Sequence, residues 1–163
     1  MSFLTILTNV HVAISLVAIA SGFVVLFGML TGKRLDGWTA FFLATTVATS
    51  VTGFFFPIHG VTPGIVIGII SLAVLAVAIY ARYARHLAGA WRRVYVITAT
   101  VALYLNVFVL IVQSFQKVPA LKALAPTQSE PPFVVAQVVA LVAFVVLGSL
   151  AAIRFRDEPA TAA

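Results

Sequence analysis

Five uninterrupted apolar runs, at residues 10–30, 38–56, 64–80, 94–115 and 133–153, take up most of this chain. A helix that crosses about 30 Å of hydrocarbon at about 1.5 Å per residue needs about 20 mostly apolar residues. No water reaches that depth to satisfy backbone N–H and C=O groups, so each run is predicted to be one continuous helix. The expected fold is all-α: a polytopic membrane helix bundle of five transmembrane helices, forming one domain over residues 1–153. A short polar tail, 154–163, is expected to follow in the cytoplasm.

Composition removes the alternatives. Hydrophobic residues make up 63% of the chain and charged residues 9%, far from the about 45–50% and 25% of soluble domains. A transmembrane barrel would show alternating apolar and polar residues, whereas these runs are unbroken. The net charge of +6 comes from basic residues that flank the runs, so it reads as a topology signal and as lipid-headgroup contact, not as nucleic-acid binding. The absence of cysteine excludes disulfides, thiolate metal sites and a cysteine nucleophile. The first nine residues lack Lys and Arg, unlike the basic region of a cleavable signal peptide, so span one is expected to be retained.

Eight of the ten basic residues lie on one set of alternate loops: Lys33, Arg34, Arg82, Arg85, Arg92, Arg93, Arg154 and Arg156. Lys117 and Lys122 lie on the other. The positive-inside rule puts the larger group in the cytoplasm, with the N-terminus outside and the C-terminus inside. Trp38 and Trp91 mark span ends on the same side. The competing arrangement has four spans, with span three re-entrant because Pro63, Gly64 and Gly68 open it. The loop before span five carries Pro119, Pro126, Pro131 and Pro132, which predicts an extended segment or a short helix across the outer face.

Membrane helices associate through close packing of small residues. His11, Ser15, Ala18 and Gly22 share one face of span one, and Gly64, Gly68 and Ser71 share one of span three. Span two carries a stripe of Thr45, Thr46, Thr49, Ser50 and Gly53, with Thr52 beside it. All three faces are expected to point into the bundle. Rarer polar groups gather toward the outer half: Thr49, Thr52, Asn106, Gln113 and Gln137 form a predicted polar cluster, with His11 and His59 near its level. An unpartnered amide in hydrocarbon costs several kcal/mol, so these groups should meet each other or water.

Little points to catalysis. Asp36 and Asp157 fall on the side opposite His11 and His59, so no Ser-His-Asp arrangement is readable, and neither a phosphate-binding glycine loop nor a His-Glu-x-x-His helix is present. His11 and His59 are the candidate cofactor ligands, since two imidazoles can hold a b-type haem or part of a metal site. Arg82, Arg85, Arg92 and Arg93, with His86 among them, are expected to meet lipid headgroups.

Three segments carry a resemblance: Leu35-Asp36-Gly37-Trp38-Thr39-Ala40, Leu103-Tyr104-Leu105-Asn106-Val107-Phe108, and the stretch from Leu124 to Phe133. Together they resemble a group of small bacterial inner-membrane proteins to which no activity is assigned. The span-one histidine and the glycine-rich helix after it are also similar, more distantly, to bacterial membrane families suspected of binding haem. The resemblance implies a multi-pass inner-membrane location. The functional expectation is a non-enzymatic subunit, accessory factor or small-ligand binder, partnered by lipid and by other subunits or itself. The alternatives are a haem- or quinone-linked electron-transfer protein and a small oligomeric transporter or channel lined by the span-two hydroxyls.

Overall fold

A computed structural model describes residues 1–156; the rest of the polar tail, with Asp157, lies outside the described residues. The described residues are helical and contain no strand. The helices are α1 (Phe3–Leu30), α2 (Asp36–Gly53), α3 (Pro63–Ile79), α4 (Trp91–Lys117), α5 (Pro119–Leu124) and α6 (Pro131–Arg154). A π-helical turn, Tyr80–Ala84, prolongs α3.

Local chemistry sets the helix starts. Ser2 caps α1 by accepting from the Thr5 N–H, and Thr62 caps α3 by accepting from the Ile65 N–H, each supplying a partner to a backbone donor that has none inside the helix. Proline opens α3, α5 and α6, where its missing N–H removes no helical bond. The expected short helix before the last span is α5. Glu130, just before α6, accepts from the Thr127 hydroxyl (2.8 Å) and from the Thr127 and Ser129 N–H groups (3.1 Å each). Slight desolvation pushes its pKa up, but these bonds outweigh it and hold the carboxyl below its ordinary value.

Four helices are long and apolar enough to cross a membrane: α1, α3 with its π turn (Pro63–Ala84), α4 and α6. Span three is therefore one continuous helix of 22 residues, long enough to cross. The helix that falls short is α2. It is 18 residues long, about 27 Å, and its shortfall comes from its hydroxyl stripe and from Asp36.

The long helices form a ring in the order α1, α2, α3, α4, α6 and back to α1, with α4 also reaching α1 and α2. The small-residue faces turn inward along part of their length, with Ala18, Gly22, Thr46, Ser50 and Ser71 buried, His11, Ser15, Thr45, Thr49 and Gly68 partly buried, and Gly64 at the start of α3 exposed. Packing is uneven along the bundle. Buried residues crowd the end where α1 and α3 finish and α2 and α4 begin: Ala18 to Met29, Thr39 to Ser50, Ser71 to Ala78 and Tyr95 to Leu103, whereas Phe115 at the end of α4 and Ala125 after α5 are the buried residues at the opposite end among those described. The first four turns of α1, Phe3 to Val17, bury nothing. One end of the molecule is thus sealed and the other loosely packed. On α6 only Phe144 and Ala151 are buried.

Candidate functional site

The sealed end is built around Arg82. The wider π turn, closed by Arg85 N–H to the Tyr80 carbonyl (3.0 Å), turns the adjacent Ala81 and Arg82 both inward. The Arg82 side chain is 2% exposed and donates through Nη2 to Asp36 Oδ1 at the start of α2, whose own side chain is 72% exposed. Its guanidinium lies 5.1 Å from the Tyr95 ring centroid, within cation–π range. Arg82 Nη1 and the Tyr95 hydroxyl are buried without hydrogen-bond partners. After the π turn, His86 and Leu87 adopt left-handed φ values of 48° and 59°, strained conformations for L-residues, and Leu87 is thereby buried completely. Arg92 donates to the Phe155 carbonyl, tying the start of α4 to the end of α6.

This corrects one expectation. Arg82 does not face lipid headgroups; a charge that deep needs a fixed counter-charge, and Asp36 supplies it across 46 positions of sequence. Arg85 and Arg93 are exposed, with Arg85 against the Trp91 ring (5.4 Å), while Arg92 is partly buried in its bond to Phe155.

The loosely packed end holds the other candidates in separate contacts, not in one network. His11 Nδ1 and Thr52 Oγ1 are 2.8 Å apart, joining the start of α1 to the end of α2. The Thr52 hydroxyl donates to the Ala48 carbonyl (2.7 Å), so Nδ1–H is the donor between them and Nε2 keeps its lone pair. Phe56 stands edge-on to the imidazole at 5.3 Å. Asn106 donates to Thr46 Oγ1 at 3.4 Å, nearer the middle of the bundle. Gln137 donates to the Phe108 carbonyl (3.3 Å), which leaves its Oε1 buried with no donor. Thr49 bonds back to the Thr45 carbonyl (2.9 Å). Gln113 is partly buried, and no hydrogen bond joins it to the others among the described residues.

His59 is exposed in the loop between α2 and α3, and His86 lies in the turn at the opposite end. Only His11 among the histidines lies in a helix, so a haem held between histidines of facing helices has no residue pair to use here. Among the described residues, no group of three or more His, Asp or Glu side chains converges as a metal site. Of the α2 hydroxyl stripe, Thr46 and Ser50 are buried, and Thr45, Thr49 and Thr52 bond to carbonyls of their own helix.

The amides make an expectation about stability. Asn106→Leu breaks an interhelical bond and should cost about 0.6 kcal/mol, the average for polar pairs within membranes. Gln137→Leu removes an unsatisfied acceptor, so stability should hold steady or rise by up to about 1 kcal/mol. Thermal unfolding in detergent measures both; a loss at Gln137 matching or exceeding that at Asn106 would show that the amide is structural. Comparison with protein-family models, with curated proteins and with solved structures finds no match.

Proposed function

We propose that this chain is an integral protein of the bacterial inner membrane that crosses it five times, with its N-terminus outside and its C-terminus inside. In this reading it works as a non-enzymatic subunit or small-ligand binder, and it takes its partner or ligand at the outer, loosely packed half. The observation that carries the reading is the unequal packing of the two ends. The inner end is closed by Arg82, Asp36, Tyr95 and Leu87, whereas the outer half offers polar groups without a sealed core. The outer half also holds a buried polar atom without a donor, Oε1 of Gln137.

Support for α2 as the fifth span comes from its ties at both ends. Asp36 meets Arg82 at the end of α3, and Thr52 meets His11 near the start of α1. The sixteen residue steps from Asp36 to Thr52 span about 24 Å of helix, held lengthwise between two neighbours that are themselves long enough to cross. Of the hydroxyls that lower its apolarity, Thr39, Thr46 and Ser50 are buried, and Thr45, Thr49 and Thr52 bond to carbonyls of their own helix. The eight-to-two division of basic residues supports the orientation.

Reporter fusions test the topology: one after Ala163 should be cytoplasmic and one near Thr127 periplasmic. Two reporters on the same side would overturn the five-span reading. Photoreactive side chains at Val12 and Val138, both exposed, should capture a specific partner or ligand that the same probe at Val77, also exposed and toward the sealed end of α3, does not. Equal capture from both ends would remove the outer half from the proposal.

A further inference from the structure

Between α4 and α6 a groove of about 340 Å³ opens sideways from the bundle, running from Ile97 to Tyr104 on one helix and from Leu141 to Ala152 on the other. Gly148 sets its floor: a Cβ there would stand 3.0 Å from the Thr100 methyl, a tight contact that glycine avoids where the two helices approach. Two of the three hydroxyls on lining residues are already used, the third being the phenol of Tyr104. Thr100 donates to the Val96 carbonyl and Ser149 to the Val145 carbonyl, each at 2.7 Å. The surface on offer is therefore almost wholly hydrocarbon.

Two further features say what covers it. From Leu141 to Ala152, eleven residues rise about 16 Å, which is close to half of a bilayer's hydrocarbon thickness of about 30 Å. One end of the groove also carries positive charge. Arg93 lies four residues before Ile97, on the same face of α4. Arg154 and Arg156 follow Ala152 at the end of α6, and all three arginines are exposed. The Arg92 bond to the Phe155 carbonyl holds these two helix ends together, so the cations gather at one mouth of an apolar slot one leaflet deep.

We propose that the α4–α6 groove binds one anionic phospholipid, its acyl chain along Leu141–Ala152 and its phosphate at Arg93 and the arginines ending α6. This rests on the reading of the chain as a membrane-spanning bundle. The ligand is a lipid and not a free phosphate, because the groove contributes hydrocarbon contact that a free anion cannot use.

The test is native mass spectrometry of the full chain from mild detergent, with phosphatidylglycerol and phosphatidylcholine of identical chains added at equal concentration. The wild type should retain one phosphatidylglycerol in preference to phosphatidylcholine. Arg93→Gln should cut phosphatidylglycerol occupancy about fivefold, the effect of one basic residue near an anionic lipid surface, and leave phosphatidylcholine unchanged. Ser149→Trp, which fills the groove from an exposed position, should abolish retention of both; Val145→Trp does the same should the first variant fail to fold. Equal retention of the two lipids by the wild type would overturn the proposal, as would undiminished retention by a folded tryptophan variant. A dimer that the tryptophan variant dissolves would assign the groove to a second copy of the chain and also overturn it. Alkaline extraction separates the two levels: release into the soluble fraction would sink the membrane reading itself, whereas retention in membranes without bound lipid sinks only the groove.

Discussion

Asp36→Ala is expected to destabilise the protein by about 3 kcal/mol, the low end of the range for removing one partner of a buried ion pair. Arg82 is almost fully enclosed and has one nitrogen already unpartnered, so loss of Asp36 strands a guanidinium with only the Tyr95 and Tyr83 rings to face. The exposure of Asp36 itself, 72%, keeps the effect at that low end, because water screens part of the pair. Arg82→Met in the Asp36→Ala background should recover most of the loss, since an apolar side chain of similar length refills the site without a charge. Arg34 approaches Asp36 at 3.5 Å but is exposed, and Arg34→Gln should change stability by less than about 1 kcal/mol. Unfolding midpoints of the single and double variants in one detergent read the coupling. Strictly additive effects would mean that the pair contributes nothing to the sealed end.

Gly22→Leu should prevent accumulation of folded protein. A Cβ at Gly22 would lie 2.5 Å from Leu103 Cδ1 and 2.8 Å from Phe42 Cε2. Both of those side chains are 1% exposed and packed among α1, α2 and α4, so neither has space to swing away. Even Gly22→Ala should cost about 1–3 kcal/mol, the usual range for overpacking, and the three further carbons of leucine add to that. Gly37→Ala is the matched control. Nothing lies within 4 Å of a Cβ built there, and replacing glycine in a helix should stabilise by up to about 1 kcal/mol. Size-exclusion profiles and unfolding temperatures measure all three. A folded, unshifted Gly22→Leu would show that α1, α2 and α4 cross with more room between them than these distances allow.

The inward face of Gly22 is legible in the residue order, because its spacing with Ala18 and His11 marks one side of a helix on which small residues permit contact. The inward hydroxyls of α2 are legible for the same reason, and the prolines after α4 announce the short helix α5. Arg82 is not legible. It stands among Arg85, Arg92 and Arg93 with the same flanking position, and nothing local to it distinguishes a buried arginine from one in the headgroup layer. Its burial depends on the phase of a π turn and on a carboxylate 46 residues earlier. The polar cluster fails as a network for a related reason. Height in the membrane follows from residue number, but rotation about the helix axis relative to a neighbour does not, so Thr52 meets His11, Asn106 meets Thr46, and Gln137 meets a backbone carbonyl.

What the sequence by itself determined is that the chain is helical, where most helices begin and end, and which side is basic. These follow from run length, proline and hydroxyl caps, and charge count, all of which are local or additive properties. Only the tertiary structure decided that α2 is held between two long neighbours, that one end is sealed and the other loosely packed, and that α6 turns nearly all of its apolar surface outward. Lipid is as apolar as a protein core, so hydrophobicity in a membrane chain carries no signal for inside against outside. That distinction belongs to shape, to glycine at crossings and to the few polar pairs between helices.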